Sequence, residues 1–188
     1  MPIHIPSHRT VQPEEIKSIV EDLGKRISED YDGKELVLLG ILKGSVIFYA
    51  DLARAITIPV YFEFVRISSY RDKTTPGEVT ISEDIKNCDL DNKHVLIIED
   101  IVDTGNSLRV LLDYLEKNME PLSINICTLL IRDENTSHKS LPIQYSGLSV
   151  SEFGETYGSV NGFVVGYGMD LAEKHRNLPY LGNLTMRF

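Results

Sequence analysis

Apolar positions along the chain switch between two rhythms. Ile16, Ile19, Val20, Leu23 and Ile27 recur at the three- and four-residue steps of one helical face. Pro13, Glu14 and Glu15 suit a first turn, so a helix is predicted over Thr10–Ile27, with Thr10 or Gln12 near its cap. Leu36–Leu42 is instead a continuous apolar run, the mark of a strand covered on both faces. Lys43-Gly44-Ser45 breaks that run, Val46–Ala55 reads as a second helix, and Val60–Ile67 returns as a strand. This strand–helix–strand order predicts a parallel sheet. Val95–Ile98 and Ile124–Ile131 supply two more buried strands, Leu108, Leu111, Leu112 and Leu115 mark the helix between them, and Phe163–Val165 is a late, short strand.

Composition narrows the class. At 188 residues, 42% apolar and 25% charged, the chain suits a single soluble globular domain over 1–188. The net charge of −9, from 28 acids against 19 bases, argues against a nucleic-acid partner, which would want a basic face. A polyanionic ligand would therefore have to be met by a metal ion and a few placed cations rather than by the overall field. Cys88 and Cys127 are too few for a disulfide framework, the N-terminus lacks an apolar signal segment, and no apolar run is long enough to span a bilayer. A cytoplasmic protein without membrane contact is expected.

The chemistry concentrates in Val95–Leu108, VLIIEDIVDTGNSL. The apolar run ends at Glu99 and Asp100, whose side chains should point to opposite faces of an extended chain, one toward a ligand and the other toward a metal or a basic neighbour. Asp103-Thr104-Gly105-Asn106-Ser107 then has the small and polar residues of a tight turn ahead of a helix. Such a turn aims backbone N–H groups and the positive end of a helix dipole at one spot, which suits a phosphate. The neighbouring carboxylates would repel a bare phosphate, so the ligand should also offer sugar hydroxyls or Mg²⁺ to them. A P-loop needs Lys and then Ser or Thr after its second Gly, whereas Asn106-Ser107 follows Gly105 here, so nucleotide hydrolysis by that route is not expected.

This stretch resembles the 5-phosphoribosyl-1-diphosphate signature of the type I phosphoribosyltransferases, without a gap from Val95 to Ser107. Other stretches resemble the purine branch of that family, the hypoxanthine-guanine phosphoribosyltransferases. Leu42-Lys43-Gly44-Ser45 is similar to its pyrophosphate loop, which contains a cis non-proline peptide. Ser69-Tyr70 is similar to its lid, and Phe163–Asp170 to its closing purine-site motif. Arg176 matches a late pyrophosphate-binding arginine. The resemblance implies a central, mainly parallel sheet flanked by helices, a small hood built from the N- and C-terminal segments, and a mobile lid at about 68–78. It also implies Mg²⁺-dependent transfer of a phosphoribosyl group to a 6-oxopurine, hypoxanthine or guanine, in purine salvage, by a homodimer or homotetramer.

Roles follow from the matched positions. Glu99, Asp100, Asp103, Thr104, Gly105, Asn106 and Ser107 would hold the ribose 5-phosphate, with Asp103 the general base near purine N7. Lys43, Gly44 and Arg176 would hold pyrophosphate, and Arg132, Phe163, Val164 and Asp170 would form the base site. Glu99, Asp100 and Asp170 would hold the metal. The chain departs from the family pattern twice. Arg132 stands where purine members usually carry Lys, and its wider planar fork keeps xanthine open as a substrate. Leu148–Gly162, polar and holding Gly154, Gly158 and Gly162, reads as an inserted surface loop. Two rival readings are a phosphoribosyltransferase for another base and a nucleotide-sensing RNA-binding regulator of the same fold, the latter disfavoured by the net charge.

Overall fold

The computed structural model describes residues 10–69, 79–132, 136–151 and 163–184. The chain opens with a two-residue strand, β1 (Thr10–Val11), and only then enters helix α1 (Pro13–Asp30). The helix thus starts later and ends later than the expected Thr10–Ile27. Thr10 pairs with Gly182 near the opposite end of the chain, and Pro13, which lacks an N–H, marks the first turn. The Glu15 carboxylate accepts the backbone N–H of Gln12 at 2.9 Å and closes that end.

The order then runs β2 (Leu36–Leu42), α2 (Val46–Ala55), β3 (Val60–Ser69), β4 (Val79–Ile81), β5 (His94–Val102), α3 (Asn106–Asn118), β6 (Ser123–Ile131), β7 (Ile143–Ser149), β8 (Phe163–Val165) and β9 (Leu181–Leu184). Six strands form one sheet in the order β4-β3-β2-β5-β6-β7, parallel throughout except for β4, which runs antiparallel to β3. A second, antiparallel sheet, β1-β9-β8, joins the two ends of the chain as the expected hood.

Burial explains the apolar runs. Leu36 and Leu38 of β2 pack in one cluster with Phe48 and Leu52 of α2, while Val37 and Leu39 pack in the other with Leu108, Leu111 and Leu115 of α3. Helices therefore cover both faces, and alternate residues of one strand serve two cores. The chain leaves β2 through α2 toward β3 on one side, and β5 lies on the other side of β2. The winding reverses between β2 and β5, and a crevice is expected outside the carboxyl ends of those two strands.

The expected loop at 148–162 begins later than that: Leu148 and Ser149 complete β7 and Val150 is buried, because β7 extends its pairing with β6 as far as Ser149. The remainder of that segment, 152–162, lies outside the described residues, as do Tyr70 and the lid positions through Glu78. Among the described residues no helix is long and apolar enough to cross a membrane.

Candidate active site

The crevice at the β2–β5 switch has a volume of about 330 Å³, and four parts of the chain line it: the exit of β2, Ile67 of β3, the stretch from Glu99 to Leu108, and Asp170 with Arg176. Strand β5 does not stop at its apolar run but continues through Glu99 and Asp100 to Val102. Both residues line the hollow.

From Val102 the chain turns into α3 through Gly105, whose φ of +74° is costly for a residue with a side chain and whose missing Cβ leaves room for Leu141. The first-turn amides of α3 have no earlier carbonyls to bond and border the crevice at Asn106, Ser107 and Leu108. This arrangement can take an anion through main-chain groups alone.

The Leu42–Lys43 peptide is cis, as the resemblance implied. Gly44 lies so close to Asp100 that a methyl on it would run into the Asp100 carboxylate. Gly168, at φ +103°, lies so close to Gly44 that a Cβ on it would run into the Gly44 carbonyl. Beyond Gly168, Arg176 donates to the Gly168 carbonyl at 2.8 Å and pairs with Asp170 at 2.8 Å. The Asp170 carboxylate also accepts the Glu173 N–H at 2.7 Å.

Lys43 does not line the crevice. Its Nζ meets the Glu173 carboxylate at 3.0 Å, and Arg176 reaches the same carboxylate at 3.5 Å. Glu173 thus gathers both of the expected pyrophosphate cations, and the Lys43 ammonium, helped by Arg176, holds its carboxyl below the usual range. Arg132 does not line the crevice either; its Nε lies 3.3 Å from the carboxylate of Asp103, which does. Phe163 is 52% exposed on the hood, and neither it nor Val164 lines the crevice. Ser69 ends β3 at the start of the expected lid.

Burial pushes the Glu99 carboxyl well above its ordinary range, and the Asp100 charge adds to the rise. A carboxyl raised on folding stabilises the native state fully only below its unfolded pKa, and that contribution is lost as pH climbs through the folded value. Glu99→Gln should therefore raise the melting temperature at neutral pH and flatten the fall in stability above the usual carboxylate range. Thermal denaturation from pH 4 to 8 checks this, and an unchanged pH profile would contradict it.

Among the described residues no three His, Cys, Asp or Glu side chains are arranged to hold a metal ion by themselves. Glu99, Asp100 and Asp170 nonetheless supply hard oxygen donors to one crevice. That set fits Mg²⁺, which takes one or two carboxylates and completes its shell with water and phosphate oxygens.

Comparison with known proteins places this geometry. The model of the phosphoribosyl transferase domain matches residues 11–171. The chain is 42% identical to the hypoxanthine-guanine phosphoribosyltransferase of Dictyostelium discoideum, over 90% of this chain and 91% of that one. It is 39% identical to the enzyme of the same name from Mycobacterium bovis, over 93% and 84%. A crystal structure of a hypoxanthine phosphoribosyltransferase from Staphylococcus aureus superposes with a TM-score of 0.82 at 36% identity, covering 96% of this chain and 92% of that one.

Proposed function

The chain belongs to the phosphoribosyl transferase family, and from that premise we propose that its crevice joins hypoxanthine or guanine to 5-phosphoribosyl-1-diphosphate, giving IMP or GMP and pyrophosphate. The observation that carries this reading is the convergence of Gly44, Glu99–Ser107, Asp170 and Arg176 on one hollow at the switch between β2 and β5.

The amides of Asp103–Ser107, with the Thr104 and Ser107 hydroxyls, take the 5′-phosphate. Glu99 and Asp100 hold the ribose hydroxyls. Gly44, Lys43 and Arg176 receive the pyrophosphate, the two cations exchanging Glu173 for it. Glu99, Asp100 and Asp170 are the residues that would hold Mg²⁺, whose chemistry there is neutralisation of charge on the leaving pyrophosphate. Phe163 stacks on the base, the Val164 backbone reads its edge, and Ser69 and Tyr70 begin a lid that excludes water from an oxocarbenium-like centre.

O6 and N7 lie side by side on one edge of a 6-oxopurine, as Arg132 and Asp103 lie side by side at 3.3 Å. Arg132 donates to O6 and Asp103 takes the proton at N7. A charged hydrogen bond of this kind is worth about 1.5–3 kcal/mol, roughly ten- to a hundredfold. Arg132→Ala should raise the KM for base by that factor and the KM for phosphoribosyl diphosphate far less; equal rises would count against the contact.

The exposed apolar residues Val46, Ile47, Phe62 and Phe64, at 37% to 55% exposure on α2 and β3, support a homodimer or homotetramer built on that face. Two free cysteines, Cys88 and Cys127, are in keeping with a reducing cytoplasm. The test of the whole reading is direct. Purified protein, Mg²⁺ and phosphoribosyl diphosphate are offered hypoxanthine, guanine, xanthine and adenine separately while nucleotide is measured. Product from hypoxanthine or guanine is expected, and none from either would overturn the assignment.

A further inference from the structure

The phosphate loop owes its shape to two residues with no part in the scheme above. The carbonyl of Thr104 accepts two hydrogen bonds, one from the Ser137 hydroxyl at 3.0 Å and one from Arg109 Nη1 at 3.0 Å. Arg109 Nη1 also donates to Asn106 Oδ1 at 3.1 Å, and its Nη2 donates to the Ser137 carbonyl. Arg109 lies on α3, and Ser137 on the 3-10 turn Thr136–Ser140 that follows β6. Leu141, just past that turn, packs on Gly105 from the same side.

In a planar trans peptide the C=O and the next N–H point in opposite directions. Holding the Thr104 carbonyl back toward Arg109 and Ser137, neither of which lines the crevice, therefore turns the Gly105 N–H away from them, and Thr104, Gly105 and Asn106 all line the crevice. Glycine imposes little barrier to rotation of that peptide. Were it to turn over, a carbonyl oxygen rather than an N–H would face the phosphate.

We propose that Arg109 and Ser137 are positioning residues for the 5′-phosphate, fixing the Thr104–Gly105 peptide with its donor toward the ligand. The inference rests on the functional reading above, since it takes the phosphate of a ribose 5-phosphate group as the anion served. Ser137 has no charge, so an effect of its removal cannot be long-range attraction.

The experiment compares Arg109→Ala, Arg109→Lys and Ser137→Ala with the unaltered protein. It measures binding of ribose 5-phosphate and of inorganic pyrophosphate with Mg²⁺ by calorimetry, KM and kcat for phosphoribosyl diphosphate, and melting temperature. Arg109→Ala should weaken ribose 5-phosphate and raise that KM about tenfold, and Ser137→Ala about threefold. Pyrophosphate binding and kcat at saturation should stay within about twofold, and Arg109→Lys should recover part of the loss. Equal weakening of both ligands would mark a merely structural role and overturn the proposal, as would unchanged ribose 5-phosphate binding in both alanine variants. If the unaltered protein makes no nucleotide, the functional reading fails; if it is active and only the variants behave otherwise than stated, this inference alone fails.

Discussion

Asp103→Asn should lower turnover by about 10²–10⁴-fold, the usual contribution of a general base, while leaving the KM for phosphoribosyl diphosphate nearly unchanged. Asn has the same shape and can still accept a hydrogen bond from Arg132, which meets the Asp103 carboxylate at 3.3 Å. It cannot take a proton at neutral pH. Asp103 is largely exposed at the rim of the crevice, so the substitution removes no packing. The loss should therefore fall on kcat alone. Steady-state kinetics with each substrate varied separates the two constants, and turnover close to that of the unaltered protein would remove Asp103 from the role.

Gly44→Ala should lower kcat/KM for phosphoribosyl diphosphate by about a hundredfold, the scale of loss that a misplacement of roughly 1 Å can cause. The added methyl would occupy space already filled by the Asp100 carboxylate. Gly44 is also crowded by Gly168, which comes so close that a Cβ on it would meet the Gly44 carbonyl. Either Asp100 turns out of the ribose site or the β2 exit separates from the loop carrying Asp170 and Arg176. Overpacking of this kind costs about 1–3 kcal/mol, so melting should fall only by several degrees. An alanine variant within threefold of the unaltered kcat/KM would show that the close approach of the three segments is dispensable.

The sheet was legible wherever strands are covered on both faces. The limits of β2 and α2 match the sequence reading residue for residue, because an uninterrupted apolar run bounded by Lys43-Gly44-Ser45 leaves little choice. The turn from β5 into α3 was legible for a similar reason, since its small residues stand directly between a strand and a helix. What escaped depends on contacts distant in sequence. β1 is two residues long and exists by pairing with Leu181 and Gly182, which leaves no local periodicity. β5 runs past its apolar stretch because charge, which normally ends a buried strand, here marks where the strand enters the crevice.

Glu173 has no role among the matched positions, yet its carboxylate accepts a hydrogen bond from Lys43, 130 positions away. Its backbone, like that of Ala172 and His175, has a positive φ that no glycine announces. Arg109 and Ser137 carry no motif; their role depends on which way a single carbonyl points.

The most direct measurement is the electron density of crystals grown with IMP and Mg²⁺. The account requires the 5′-phosphate within hydrogen-bonding distance of the Thr104–Ser107 amides, with the base beside Arg132 and Asp103. A nucleotide lodged instead in the separate groove of about 560 Å³ between α1 and α2, against Lys17 and Arg54, would contradict it.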